Sequence, residues 1–341
     1  MTIRPRLAVL GSLNMDISVP VGRLPGPGET VLGGQAVIAP GGKGANQAVA
    51  AARLGAATAM AGCVGEDEFG GPILLGLAAE GIDISGVRRL PGVATGLALI
   101  TVSADGENMI TVAPGANGEC GPAEAGAALV GPPDLLVISA EIPPAVIAAA
   151  LAGAARRGVP ALLNLAPVPA DAEAAARLAA GAGWLVVNES EAAALLGRPV
   201  AGLAGAVAAA HGLRDLLTAA ASPGTETASP GTGEAAAARS LSGGYAVVTA
   251  GSQGAALAGP DGTAQVPGFE VASVDAVGAG DAFVAALAVG LAAGAAPPEA
   301  LRAACAAGAT ATTRRGAQTA LPRPAEIAAA TGVAGRWPAE A

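Results

Sequence analysis

Aromatic residues are scarce: three Phe, two Trp and one Tyr, 2% of 341 residues. The core must therefore be assembled from Ala, Leu, Val and Ile, and the stacking platforms that single-stranded nucleic acids require have almost no material. A basic stripe is also missing. Eighteen Lys and Arg against 27 Asp and Glu leave a net charge of −9, which excludes a general affinity for polyanions and leaves small anions to local devices such as helix N-termini. The three cysteines, Cys63, Cys120 and Cys305, have no metal-ligand spacing, and their odd number fits a reducing cytoplasm better than a disulfide framework. Long apolar runs are absent too. The run from Ala282 to Ala296 falls short of the roughly 20 residues that span a bilayer and reads as a core helix. At the start, the short apolar stretch soon meets Asn14 and Asp16 with no small-residue cleavage site, so a buried first strand is expected rather than a leader. These absences predict a soluble cytoplasmic protein with neither a membrane nor a nucleic-acid partner.

What is present is a repeating alternation. Strand-like runs at 7–12, 58–65, 134–139, 161–166, 184–189 and 245–251 alternate with helix-like stretches such as 45–55 and 69–81. Continuous apolar strands separated by helices predict a parallel sheet buried on both faces, within one α/β domain spanning residues 1–341. Two segments break the pattern: 16–38 and 95–113 read as strands joined by turns, the second a hairpin through Asp105-Gly106. They predict a small β-layer at the edge of the body, either a lid or a structural flap. Residues 217–244, with "SPGTETASPGTG", are low in complexity and predict a disordered insertion. It precedes the strand at 245–251, away from the carboxyl edge where open α/β sheets bind ligands.

Polar residues sit at the predicted strand ends: Asn14 and Asp16, Glu141, Asn188 and Glu191, then Thr249 and Gly251. Their convergence on one edge is the signature of a doubly wound ligand site. "PGGKGANQA" at 40–48 places Lys43 among glycines and Asn46 near a helix start, where it either caps the helix or faces a ligand; the spacing fits neither a Walker loop nor a dinucleotide fingerprint. In "VDAVGAGDAF", 274–283, a strand ending near Val274 is expected to turn through Gly278-Ala279-Gly280 into a helix starting about Asp281. Unpaired amides there would make an anion site, and Asp281 is either an N-cap or a base. Asn188 and Glu191 in "NESE" suit Mg²⁺ beside a phosphate, or a capping box, or both.

Taken together, "GSLNMD" at 11–16, "PGGKGANQA" at 40–48, "GEN" at 106–108, "GAN" at 115–117, "NESE" at 188–191, "GAGDAF" at 278–283 and "RRGAQTALP" at 314–322 resemble the ribokinase branch of the PfkB-type carbohydrate kinases, in order and over nearly the whole chain. The resemblance implies a three-layer α/β/α sandwich with a mostly parallel central sheet and a small β-sheet lid, paired into a homodimer through the lid. The implied activity is ATP-dependent phosphorylation of the primary 5-hydroxyl of D-ribose. Asn14, Met15, Asp16, Gly42, Lys43, Gly44, Ala45, Asn46 and Glu141 would hold the sugar, with Asp281 as its base. Gly278, Ala279 and Gly280 would form the anion hole. Asn188 and Glu191 would orient Mg²⁺ and phosphate. Thr249, Ala250, Gly251, Ser252, Gln253, Gly254, Gly280 and Cys305 would lie along the nucleotide. A K⁺ site would involve Asp275, Val277, Ala311, Arg314, Gly316 and Ala320, mostly through carbonyls.

Three positions depart from the family's pattern. Ala276 stands where Thr is usual, Ala320 where Ser is usual, and Cys305 where Asn or His is frequent near the adenine. K⁺ activation and nucleotide preference are the properties these touch. A deoxyribokinase or another sugar or nucleoside kinase is the alternative within the same chemistry. A catalytically silent sugar-binding regulator is the alternative outside it.

Overall fold

The structure, a computed structural model, describes residues 4–105, 107–220 and 244–338. Nine strands form the main sheet: β1 (Arg6–Leu10), β4 (Ala57–Gly65), β5 (Asp83–Leu90), β8 (Leu135–Ser139), β9 (Ala161–Asn164), β10 (Trp184–Asn188), β11 (Tyr245–Thr249), β12 (Gly254–Gly259) and β13 (Gly262–Pro267), in the order 13-12-11-10-9-8-1-4-5. Pairing is parallel from β5 through β11, and β12 and β13 add an antiparallel edge.

Apolar runs on these strands serve two cores at once, because successive side chains alternate between sheet faces. Leu7, Val9, Leu135, Val137, Trp184, Val186 and Val247 face one core. Ala8, Leu10, Leu136, Ile138, Leu185, Val187 and Val248 face the other. Helices α1 (Lys43–Arg53), α2 (Gly70–Ala79), α8 (Ala279–Ala292), α9 (Pro297–Ala311) and α10 (Pro324–Thr331) cover the first. Helices α3 (Pro122–Ala127), α4 (Pro144–Arg156), α5 (Ala172–Gly181), α6 (Glu189–Leu196) and α7 (Gly202–Ala220) cover the second. The expected three layers are present. All six aromatic residues pack in or against the first core, with Trp184 stacked on Tyr245 at 4.0 Å between centroids.

The second sheet, β3-β2-β6-β7, comprises β2 (Asn14–Pro20), β3 (Val37–Gly41), β6 (Gly96–Val102) and β7 (Asn108–Ala113). It is the small β-layer expected from 16–38 and 95–113, but its strands reach further, taking in Asn14 at one end and Pro40-Gly41 at the other. The β6–β7 hairpin is antiparallel as read; its Gly106 lies outside the described residues.

Two boundaries differ from expectation. Residues 217–220 are the last turn of α7 rather than irregular chain, and 221–243 of the expected insertion lie outside the described residues. Its flanking residue Gly244 leads into Tyr245, which pairs with Trp184 at the amino edge of the sheet, whereas Thr249 pairs with Asn188 at the carboxyl edge. Residues 268–278 form no strand: Val274 and Asp275 are pinned instead by their amides to the Thr312 carbonyl, at 2.7 and 3.1 Å.

The cysteines are free thiols. The fold brings Cys63, Cys120 and Glu124 within 4.8 Å of one another, a cluster their spacing did not announce. Arg88 already supplies its cation, pairing with Glu124 at 2.7 Å and reaching the Cys63 sulfur at 3.7 Å. Among the described residues no helix is long and apolar enough to cross a membrane.

Candidate active site

The chain leaves β1, runs to β4 and β5 on one side, then returns to β8 on the other, so a topological switch point lies between β1 and β8. Such a crevice is where an open α/β sheet receives its ligand. Ser12, just past β1, donates to Glu141, just past β8, across this gap at 2.5 Å. Lys43 completes the bridge through its amide (3.3 Å) and ammonium group (2.8 Å) on the same carboxylate.

Lys43 opens α1, and the glycines around it let the helix start against the β1 turn. A Cβ on Gly44 would lie 2.7 Å from the Gly11 carbonyl carbon and the Ser12 nitrogen, closer than atoms pack. Gly44→Ala is therefore expected to push α1 off the β1 turn, costing about 1–3 kcal/mol of stability. Thermal unfolding checks it, and an unchanged midpoint would contradict the contact.

Asn46 does not cap α1. The cap residue is Gly42, and Asn46 lies one turn in, with its Nδ2 donating to Asp281 Oδ2 at 2.9 Å. The neighbouring Gln47 donates from Nε2 to Asp281 Oδ1 at 3.0 Å. Asp281 is not an N-cap either: α8 begins at Ala279 behind Gly278, whose φ of 78° is a conformation that glycine adopts without strain. The Asp281 side chain thus points to α1, leaving the first amides of its own helix uncovered. Among the described residues, the N–H groups of Gly278, Gly280 and Asp281 have no acceptor, the usual state of a helix start that can take an anion.

Burial pushes the Asp281 carboxyl up to about 6, with Glu141 adding to the rise while Lys43, Asn46 and Gln47 oppose it. Asp16, on β2, is likewise pushed up to about 6 by burial, then by Glu141 and Asp281, against Lys43. Burial also works against the charge on Lys43, but Glu141, Asp281 and Glu191 outweigh it and hold the ammonium group above the ordinary lysine value. One cation thus stands among four carboxylates. Asn14, buried at the start of β2, is fixed by Asn117, whose Nδ2 donates to Asn14 Oδ1 at 2.7 Å while its Oδ1 accepts from Leu13 N at 2.9 Å.

Asn188 and Glu191 form the capping box of α6, with reciprocal bonds of 2.9 and 2.8 Å. The box engages only Glu191 Oε2; Oε1 accepts from no described residue, so a carboxylate oxygen remains to hold Mg²⁺ or one of its waters. Beside them, Thr249 to Gly254 run from the end of β11 through a short 3₁₀ turn into β12, and Gln253 accepts from the Leu203 amide at 3.2 Å. Cys305 is buried in the first core, and that burial pushes its thiol up to about 12, so it remains protonated.

Asp275 ties the two loops of the expected cation site, accepting from Val277 N at 3.0 Å and Gly316 N at 2.8 Å. The carbonyls of Asp275, Val277, Ala311, Arg314 and Gly316 accept no bond from described residues outside their own helix. Ala320 differs: its carbonyl accepts from the Arg314 guanidinium at 3.2 Å. Five of the six expected groups thus keep a carbonyl with no acceptor role toward described residues outside their own helix, and the sixth is engaged by Arg314.

Four residues of this constellation were not singled out as site residues in the sequence: Ser12, Gln47, Asn117 and Asn164. Asn164 is the one signal that could have been found, a lone amide inside the apolar run "ALLNLA".

Comparisons with known proteins identify the family and the fold. The description "pfkB family carbohydrate kinase" matches residues 4–221 and 224–324. A ribokinase of Haemophilus influenzae is 33% identical over 94% of this chain and 96% of its own length. A deoxyribokinase of Salmonella typhi is 32% identical over 83% of this chain and 84% of its own. The structure of Arabidopsis thaliana ribokinase complexed with ribose and ATP superposes with a TM-score of 0.74 at 28% identity, covering 95% of this chain and 98% of that one. The chain belongs to the pfkB family of carbohydrate kinases, and its fold is the ribokinase-like α/β fold.

Proposed function

We propose that this chain is an ATP-dependent ribokinase that transfers the γ-phosphoryl group of ATP to the primary 5-hydroxyl of D-ribose. The observation that carries this reading is Asp281: a buried carboxylate held by two side-chain amides, on the first turn of a helix whose leading N–H groups have no acceptor. In the proposed reaction Asp281 takes the hydroxyl proton as the sugar oxygen attacks phosphorus and ADP departs. The amides of Gly278, Ala279 and Gly280 face the charge on the transferred group; the Ala279 amide already spends a bond on Ala276 O at 3.2 Å, so Gly278 and Gly280 carry more of this role. Asn14, Met15, Asp16, Gly42, Lys43, Gly44, Ala45, Asn46 and Glu141 hold the sugar. Thr249 to Gly254 and Cys305 border the nucleotide. Mg²⁺, held through Asn188 and Glu191, supplies neutralisation of phosphate charge when bound. The groups at Asp275, Val277, Ala311, Arg314 and Gly316 would hold K⁺, and the three free thiols support a reducing, cytoplasmic setting.

A nucleoside is a poorer fit as acceptor, because every aromatic side chain is committed to the first core and none is left as a shelf for a base. Deoxyribose is the second reading, favoured by the deoxyribokinase relative. A coupled assay of ADP release with D-ribose, 2-deoxyribose, fructose, adenosine and pseudouridine, each with and without K⁺, tests the assignment. The highest kcat/KM is expected for ribose; no turnover with any sugar would leave a silent binding protein.

The small sheet exposes Val37, Ile110 and Val112 on the face that carries Asp16, and Ile38, Leu99 and Met109 on the opposite face, where they make an apolar surface suited to the lid of a second copy. A homodimer through this sheet is proposed. The double variant Ile38→Lys/Leu99→Lys, both on that opposite face, is expected to sediment as a monomer with a raised KM for ribose. Unchanged sedimentation would remove the sheet as the interface.

A further inference from the structure

Asp281 is held by a chain of amides that begins in the main sheet. Asn164 closes β9, and its Nδ2 donates to the Val186 carbonyl of β10 at 3.3 Å. That contact fixes which way the Asn164 amide faces, since a flipped amide would set oxygen against oxygen. Its Oδ1 must then accept, and it does so from Gln47 Nε2 at 3.0 Å. The same Nε2 carries a second hydrogen, which goes to Asp281 Oδ1 at 3.0 Å. A flipped Gln47 would place its oxygen against both the carboxylate and Asn164 Oδ1. Each amide in the chain therefore has one permitted orientation.

Gln47 also sacrifices something. It is fully buried, and its Oε1 has no hydrogen-bond partner among the described residues. An orphaned buried oxygen is costly, and here it accompanies an N–H directed at two acceptors. The side chain is oriented for Asp281 and Asn164 rather than for its own satisfaction.

We propose that Gln47, oriented by Asn164, is a positioning residue that fixes the Asp281 carboxylate toward the acceptor hydroxyl and favours its ionised form. The inference rests on the reading of Asp281 as the base. The other charged groups facing Asp281 are Lys43 from α1, Glu141 past β8 and Asp16 from β2. Helix α9 packs on α8 through Ala, Leu and Cys305, with its charged Glu299 and Arg302 exposed.

The test is the pH profile of kcat/KM for the wild type and for Gln47→Met, Asn164→Leu and Asp281→Asn. Gln47→Met keeps the length and bulk of the side chain but donates nothing. Its acid limb is expected to move up by about one pH unit, with kcat on the plateau lowered about tenfold, because a hydrogen bond to the charged form has been removed. Asn164→Leu should shift the limb the same way by less, since Gln47 can still reach Asp281. Gln47→Glu, which places a carboxylate against Asp281, should move the limb further than Met does. A purely structural role would lower the melting temperature and leave the limb in place, and that outcome overturns the inference. If instead Asp281→Asn turns over at the wild-type rate, the reading of Asp281 as base fails, and the two failures are distinguishable.

Discussion

Asp281→Asn is expected to lower kcat by about 10²–10⁴-fold, the usual cost of removing a positioned general base, while the dissociation constant for ribose changes little. The amide is close to isosteric and can still accept from one of the two donors, Asn46 or Gln47, so the pocket should survive. Stopped-flow or coupled kinetics and calorimetric ribose binding, run on the same preparation, separate the two quantities. The variant should also be more stable at neutral pH. In the folded state the carboxyl sits at about 6 against an ordinary 3.8, so the folded chain binds the extra proton between those values. Stability therefore falls as pH rises through that window and stays lowered above it. The penalty is about 3 kcal/mol at pH 7 and above. Losing one amide hydrogen bond offsets about 1 kcal/mol of the relief. A net gain of about 2 kcal/mol at pH 7.5 should shrink to nothing or reverse below pH 4. An Asp281→Asn protein that melts lower at pH 7.5 would contradict the burial argument.

Lys43→Met carries the second large effect. Lys43 is the cation shared by Glu141, Asp281 and Glu191, and it also restrains Asp16. Its ion pair with Glu141 is largely enclosed on the carboxylate side. Breaking such a pair leaves an uncompensated charge and costs about 3–5 kcal/mol when fully buried, less here because the Lys43 side chain is about one-third exposed. The wild-type acid limb of kcat/KM is expected near pH 6, as macroscopic behaviour of the coupled Asp16 and Asp281 pair, with activity lost as pH falls and the base becomes protonated. Without Lys43 the limb should move to higher pH, so that the variant loses more activity at pH 6.5 than at pH 8.5. The loss should exceed tenfold at the lower pH. An identical limb in both proteins would remove Lys43 from the electrostatics of the site.

Much of this was legible because the informative strands are apolar on both faces. Runs such as "LLVIS" and "WLVVN" can only be buried on both sides, so the parallel sheet and its layers followed. Strands β12 and β13 were hidden: "GAALAG" packs by alanine and glycine, residues that carry no strand signal of their own. Strand β5, "DISGVRRL", is polar and half-exposed. Residues 268–278 misled in the opposite direction, because valines near Val274 suggest a strand where the chain is in fact pinned to the end of α9. In the site, carboxylates and glycines at strand ends could be found by motif. Gln47 could not, because beside Asn46 on an alanine-rich helix it looks like an ordinary solvent-facing polar residue until the fold buries it against Asp281. The alternative reading of Asn46 as a cap failed because the helix already starts at Lys43 behind Gly42, which leaves Asn46 one turn inside it.

The central claim is that this carboxylate moves the proton that makes a ribose hydroxyl a nucleophile toward ATP. The most direct test follows the phosphorus itself, by ³¹P NMR of D-ribose and ATP with Mg²⁺ and either the wild-type chain or Asp281→Asn. The account predicts a phosphate monoester on the 5-oxygen growing with ADP in the wild type, and neither signal on the same timescale in the variant. Equal growth of the ester in both would contradict it.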